Sequence, residues 1–345
     1  MTKVLLAGGS GFIGEFLANI VRLNAAHILG QLLAKGHSVV TTVRTKEKAQ
    51  KILDAHKADA DRLEVALVPE IAREDAFDEV VKTPGIEVAI HTASPCHLNF
   101  TDPQKELVDP AVLGTTNILR AIKREAPQVR RVIITSSVAA IFNAKDTSRA
   151  FTEQSWNPND LSNIHDGPGV AYCVAKTLAE RSAWDFVAEE KPSFDLVTVN
   201  PPLVFGPVVH HFASVDTVNA SNERLADLVR GKWRDAIPAT GPVNIWADVR
   251  DVASAHVSAL ENEEAGGKRL FTVAGRFSHV EIAGIVRDKV LMLRDKVPGP
   301  DVKSSEASNV FQYNSDETNR VLGIKWITLE KSITDFVASI QEFEL

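Results

Sequence analysis

Cysteine is scarce in this chain. Its 345 residues contain two, Cys96 and Cys173, far apart in sequence. That leaves no disulfide framework and no metal-knuckle spacing, and it points to a reducing, cytoplasmic setting with no metal. Basic charge is not in excess: 38 Lys and Arg stand against 45 Asp and Glu, a formal net charge of −7. Nucleic acid and anionic membranes are poor partners for such a chain, although one local basic pocket can still hold a small anion. Long apolar runs are missing. The stretch Val4–Ala7 is too short for a signal-peptide core or a membrane span and reads as a buried strand. Internal repeats and low-complexity tracts are absent as well.

What remains is ordinary globular composition, 44% hydrophobic and 24% charged. The length suits one large domain, or a domain with an attached lobe. Short β-branched runs at Lys3–Ala7, Ser38–Val43, Leu63–Val68, Val88–Thr92, Arg131–Thr135 and Leu196–Asn200 are nearly continuously apolar, as parallel strands buried on both faces should be. Helical patterns lie between them at Glu47–His56, Asp75–Val81, Gln104–Glu125 and Ala171–Glu190. Repeated strand–helix–strand order predicts an α/β fold: a Rossmann-type, doubly wound parallel sheet. Pro201-Pro202 ends the regular pattern. Beyond it, Ser221–Val229 and Val280–Asp288 read as helices, Val243–Trp246 and Arg269–Val273 as strands, and Asp295–Ser308 as a surface loop. The expected organisation is a cofactor domain over 1–200 and about 243–262, with a smaller interleaved lobe from 201–242 and 263–345.

The first strand runs into Gly8-Gly9-Ser10-Gly11-Phe12-Ile13-Gly14. Small residues here let the backbone turn tightly beside a pyrophosphate, and the following helix offers its free N–H groups to the phosphates. A plain tight turn is the rival reading. At the end of the second strand stand Arg44 and, one helical turn on, Lys48, with no acidic residue from His37 to Lys46. An acid there would hold a ribose 2′-hydroxyl, whereas an arginine suits a 2′-phosphate, so NADP is favoured over NAD. Ordinary solvated charges at a helix start are the alternative.

Tyr172 and Lys176 are four residues apart in a helical segment, on one face. Free tyrosine has a pKa of about 10, and a nearby ammonium lowers it, so the pair is a credible proton donor or acceptor. Ser136-Ser137 closes the fifth strand, at the edge where open parallel sheets bind ligands. A hydroxyl there can meet a substrate carbonyl, although Ser136 reads better as capping its own turn. The order of glycine loop, strand-end serine and Tyr/Lys helix is far more specific than any one part.

With these segments the chain resembles the extended short-chain dehydrogenase/reductase superfamily. More narrowly it is similar to fungal NADPH-dependent ketoreductases related to yeast methylglyoxal reductase and to plant dihydroflavonol reductases. Matching stretches include Ile90-His91-Thr92-Ala93-Ser94-Pro95, Gly114-Thr115-Thr116-Asn117, Tyr172-Cys173-Val174-Ala175-Lys176 and Asn200-Pro201-Pro202-Leu203-Val204-Phe205-Gly206-Pro207. The resemblance implies NADPH-dependent reduction of a small carbonyl compound. Ser137 and Tyr172 would act on the carbonyl oxygen, with Tyr172 as proton donor. Lys176 would support the tyrosine and hold the nicotinamide ribose. Glu70 and Ile71 would face the adenine, Ala93 and Ser94 would line the cofactor, Pro201, Leu203 and Val204 would pass beside the nicotinamide, and Ser221 would reach the phosphates. Cys96, His97, Phe100, Val170, Phe205 and Trp233 would wall the substrate pocket. A monomer or homodimer is implied.

The chain departs from the family between the glycine loop and the second strand, where a block of about eleven residues is extra and would add about 16 Å of helix. Gly14–Asn24 is the simplest inserted block, and the third small residue of the fingerprint is then Gly14 or Ala25. Only Gly36 and His37 would remain for the return, so a break near Asn24, a good N-cap residue, is expected. Two competitors remain: an NADP-dependent epimerase or dehydratase on the same scaffold, whose chemistry uses the same triad, and a dinucleotide-binding protein impaired by the insertion.

Overall fold

The computed structural model describes residues 1–8, 20–94, 100–143, 146, 149–209, 220–302, 304 and 312–341. In chain order the strands are β1 (Lys3–Ala7), β2 (Ser38–Val43), β3 (Leu63–Leu67), β4 (Ile86–His91), β5 (Arg131–Thr135), β6 (Ala150–Phe151), β7 (Asp195–Val199), β8 (Leu203–Phe205), β9 (Ile245–Asp248), β10 (Arg269–Leu270), β11 (Gly275–Arg276) and β12 (Gln312–Tyr313). The α-helices are α1 (Ile20–Ala34), α2 (Lys46–Ala55), α3 (Asp78–Val81), α4 (Asp109–Glu125), α5 (Pro168–Glu190), α6 (Ala220–Val229), α7 (Val249–Glu261), α8 (His279–Lys289), α9 (Asp316–Leu322) and α10 (Leu329–Ile340).

Seven strands form one parallel sheet in the order β10-β7-β5-β4-β1-β2-β3. The order reverses between β1 and β4, which is the doubly wound arrangement with its ligand crevice at that point. Side chains alternate between two buried layers, because successive residues of a strand face opposite sides. Val4 and Leu6 of β1 and Val88 and Ile90 of β4 pack with Ile28, Leu29 and Leu32 of α1 and Val257 and Leu260 of α7. Leu5, Ala7 and Ala89 face the other way, onto Ile118 and Ile122 of α4 and Ala183 and Phe186 of α5. Burial on both faces is why these strands lack a polar side.

A second core lies outside the sheet. Phe205, Leu225, Leu228, Trp246, Phe277, Ile282 and Phe336 form its centre, between α6, α8, α10 and the small sheet β11-β9-β8. This is the expected smaller lobe. Arg269–Leu270, from the stretch assigned to the lobe by sequence, instead supplies the seventh strand of the main sheet, paired with β7.

Several boundaries differ from expectation for local reasons. α5 starts at Pro168, three residues earlier than predicted, because proline is well suited to the first turn of a helix. The predicted helix over Gln104–Glu125 is a wide π turn (Gln104–Val108) followed by α4. Pro110 has no N–H to continue the usual pattern, and the Asp109 N–H bonds back to Gln104 instead. The predicted break near Asn24 is not there. α1 runs through Asn24, which is fully buried with neither polar side-chain atom hydrogen-bonded. The return needs only Gly36 and His37, because Gly36 adopts φ +83° and the Gly36 and His37 N–H groups bond to Leu33 and Leu32 carbonyls at 2.9 and 3.0 Å. No described helix is long and apolar enough to cross a membrane.

Candidate active site

The crevice is floored by backbone. Gly8 follows β1 with φ +101°, and a Cβ placed on it would come 2.8 Å from both the Ala93 nitrogen and the Thr92 hydroxyl oxygen. The Thr92 and Ala93 N–H groups donate to the Ala7 carbonyl at 2.9 and 3.1 Å, tying the ends of β1 and β4 together. Gly8 itself donates to the Thr42 hydroxyl at 3.0 Å. Only glycine fits, and the bare floor suits close approach by a pyrophosphate. Gly11, Phe12, Ile13 and Gly14 lie outside the described residues; Ala25 sits fully buried in α1. The choice of third small residue therefore stays open.

Arg44 is exposed immediately after β2, at the C-terminal edge of the sheet, whereas Lys48 is buried in the first turn of α2. Glu70 is exposed and Ile71 half-buried on the loop after β3. That loop is held from α4: the Asn117 amide donates to the carbonyls of Ile71, Ala72 and Arg73 at 3.3, 3.1 and 2.9 Å. Ala93 and Ser94 are half-buried where β4 ends.

On α5, Lys176 is buried and Tyr172 half-buried, with the Lys176 Nζ 6.0 Å from the centre of the Tyr172 ring. α5 packs against the short turn Val138–Ala140, which Ser137 caps by accepting from the Ala139 N–H at 3.1 Å. The Ser137 hydroxyl thus uses an acceptor lone pair on its own turn and keeps its O–H to donate. Ser136 does not cap a turn, contrary to the sequence reading. It points into the protein and donates to Glu180 at 2.5 Å.

Glu180 is the centre of a polar knot that sequence reasoning missed. It is fully buried on α5, four residues beyond Lys176. Its carboxylate accepts from Ser136, from Asn200 at 2.7 Å, from Thr198 at 3.1 Å and from the Arg269 guanidinium at 2.5 Å. Asn200 also donates to the Ser137 carbonyl at 3.3 Å, which links the knot to the strand-end serine. Arg269 stacks over the Trp156 ring at 3.8 Å and bonds the carbonyls of Glu153 and Ser155. The available signal was the continued four-residue step Tyr172, Lys176, Glu180 along one helical face.

His91, at the end of β4, is not a competing acid. It is buried with neither ring nitrogen partnered, and burial, then the Lys176 charge, push its pKa down to about 3. The ring therefore stays neutral. Pro201 and Val204 are buried and Leu203 half-buried on the chain leaving β7. Ser221 is fully buried, and its hydroxyl accepts from the Val204 N–H at 3.1 Å, so its observed contact is with β8. Among the expected pocket walls, Phe100 and Val170 pack in one cluster with Tyr172. Phe205 instead belongs to the lobe core, edge-on to Phe277 at 5.0 Å, and Trp233 is 5% exposed in the same core. Cys96 and His97 lie outside the described residues.

Residues 4–274 match the model of the NAD dependent epimerase/dehydratase family. The chain belongs to that family. It is 40% identical to a ketoreductase, azaE, of Aspergillus niger, over 99% of this chain and 98% of the relative. It is 38% identical to a putative NADPH-dependent methylglyoxal reductase, GRP2, of Candida albicans, over 98% of each. Among solved structures it is similar to the yeast methylglyoxal/isovaleraldehyde reductase Gre2 complexed with NADPH, with a TM-score of 0.85 and 31% identity over 99% of this chain and 98% of that one. The Gre2–NADPH complex of Candida albicans matches with the same TM-score and identity over 99% of each chain. These matches span the glycine crevice, the Tyr/Lys helix and the lobe alike.

Proposed function

We propose that this protein reduces aldehydes or ketones to alcohols with NADPH. The observation that carries the proposal is the Tyr172–Lys176 pair on α5, packed against the Ser137 turn at the ligand-binding edge of the sheet. The cofactor fits the chain's own features. A Cβ would fill the floor at Gly8, and Arg44 stands exposed at the end of β2 with no acidic residue in the sequence from His37 to Lys46. Gly8 would admit the pyrophosphate and Arg44 would pair with the 2′-phosphate. NADPH supplies, when bound, the hydride that reduces the carbonyl carbon. The Ser137 and Tyr172 hydroxyls donate to the carbonyl oxygen and stabilise the charge it gains. Tyr172 then gives its proton to that oxygen. Lys176 favours the tyrosinate left behind and would hold the cofactor ribose. Phe100 and Val170, which pack in the same cluster as Tyr172, would wall the substrate side.

The same reading assigns 1–200 and 243–262, with Arg269–Leu270, to the cofactor part and the remainder to a substrate lobe. It places the protein in the cytoplasm as a monomer or homodimer. The test is loss of NADPH absorbance with methylglyoxal, a diketone and an aryl ketone, with NADH in parallel. Turnover with NADPH and little with NADH is the expected result. NADPH binding without turnover of any carbonyl would favour epimerase or dehydratase chemistry instead.

A further inference from the structure

The lobe holds a cation with no acid hydrogen-bonded or ion-paired to it among the described residues. Arg224 lies on α6, three residues past Ser221, and is half-buried. Its Nε is closed to solvent with no acceptor, and no hydrogen bond or ion pair joins its guanidinium to any described residue. Burial works against its charge, and the acid that acts on it is its neighbour Glu223. Glu223 is itself pushed toward the neutral form, first by burial and then by Asp227.

A second orphan stands near it. His279 opens α8 and is 5% exposed. Its Nδ1 lies 3.0 Å from the Pro238 carbonyl, which can only accept, so Nδ1 carries the proton. Nε2 is therefore an acceptor, and it is buried with no donor. The ring is 4.6 Å from that of Trp233. Burial lowers the His279 pKa, the bond to Pro238 opposes this, and the Arg224 charge lowers it further. The beginning of α6 is clamped to the chain leaving the active-site edge: Ser221 accepts from the Val204 N–H at 3.1 Å, and Asn222 donates to the Gly206 carbonyl at 3.1 Å. Arg224 is one helical turn beyond that clamp.

We infer that Arg224 is a substrate-binding cation, which receives a carboxylate or another anionic oxygen group carried by the carbonyl substrate. A half-buried guanidinium with no acid is destabilising on its own. It becomes favourable when its N–H fork meets a carboxylate in two parallel hydrogen bonds. The vacant acceptor on His279, whose ring feels the Arg224 charge, would take a donor of a ligand long enough to reach both. The inference deepens the reductase reading and rests on it. The cofactor also carries anionic oxygens, and the experiment separates the two sources.

The test uses 2-oxo, 4-oxo and 5-oxo acids, each beside its methyl ester, with NADPH. Wild type is expected to prefer at least one acid to its ester. Arg224→Gln should lower kcat/KM for that acid by about tenfold or more, mainly through KM. Ester turnover and NADPH affinity should be unchanged, which also shows that the variant folds, and Arg224→Lys should recover part of the loss. Binding of the same acids to the NADPH-loaded protein is followed by tryptophan fluorescence, with Trp233→Phe to identify the reporter. It should depend on Arg224 in the same way without turnover. Ester preference throughout, equal losses for acid and ester, no change in either, or weaker NADPH binding with acid preference intact would overturn the inference. Arg224-dependent acid binding with no turnover of any carbonyl would sink the reductase reading and leave the anion site standing.

Discussion

At the scale of single residues, the proposed function assigns proton chemistry and cofactor choice to different side chains. Tyr172→Phe removes the hydroxyl and little else, so NADPH binding should persist while turnover falls by about 100-fold or more. Near-normal turnover in a steady-state assay would remove Tyr172 from the acid role. Arg44→Asp should weaken NADPH by about tenfold or more and leave NADH nearly untouched, read by fluorescence titration of both cofactors. An unchanged ratio would mean that Arg44 does not meet the 2′-phosphate. Both residues are singled out by the sequence alone, because each stands at a fixed offset from a recognisable element. Lys48 was less so: it has the right spacing, yet the α2 turn buries it. Phe205 and Trp233 were read as pocket walls, but an aromatic residue looks the same in sequence whether it lines a cavity or fills a core. Glu180 went unread because its partners, Asn200 and Arg269, are distant in the chain.

Elements were legible where pattern and geometry agree. β1, β2 and β5 have the predicted boundaries, because a strand buried on both faces leaves an unbroken apolar run. Prolines moved other boundaries, and Asn24 misled because a residue that favours caps can also be carried inside a helix. α7 shows what a helix start can do with charge. Asp248 caps it, accepting from the Arg250 N–H at 2.8 Å, while Asp251 accepts from the Ile327 N–H at 2.8 Å. Burial, with Asp248 adding to it, raises the Asp251 pKa from 3.8 to about 6. The folded state thus holds a proton that the unfolded chain releases at lower pH. Stability from this group is fully present below about pH 3.8 and is lost as pH rises through about 6. Asp251→Asn should therefore raise Tm at pH 8, by the equivalent of about 1–2 kcal/mol, with the gain shrinking as pH falls through about 6 and vanishing only below about 3.8. Melting curves across that range check it; a gain that is constant with pH would mean the charge is not the cause.

Across the whole molecule, the fold class and the presence of a lobe were readable, and the route by which the chain joins them was not. The Glu180–Arg269 pair ties α5 to β10 in a buried setting, with side-chain exposures of 0% and 9%. Arg269→Gln strands the carboxylate and should cost about 3–5 kcal/mol in urea unfolding. Adding Glu180→Gln should return part of that loss, and strictly additive losses would show that the two side chains do not act as a pair. Arg269–Val273 reads as a strand in the sequence but not as part of the main sheet, because β10 reaches β7 only after α6, β9 and α7 have intervened in the chain. The main sheet and the lobe are therefore stitched, and neither is a cassette. Exchanging lobes between relatives to alter what is reduced would have to carry Arg269 across the seam with its Glu180, so new specificities on this scaffold are more accessible by changing side chains in place than by recombining whole parts.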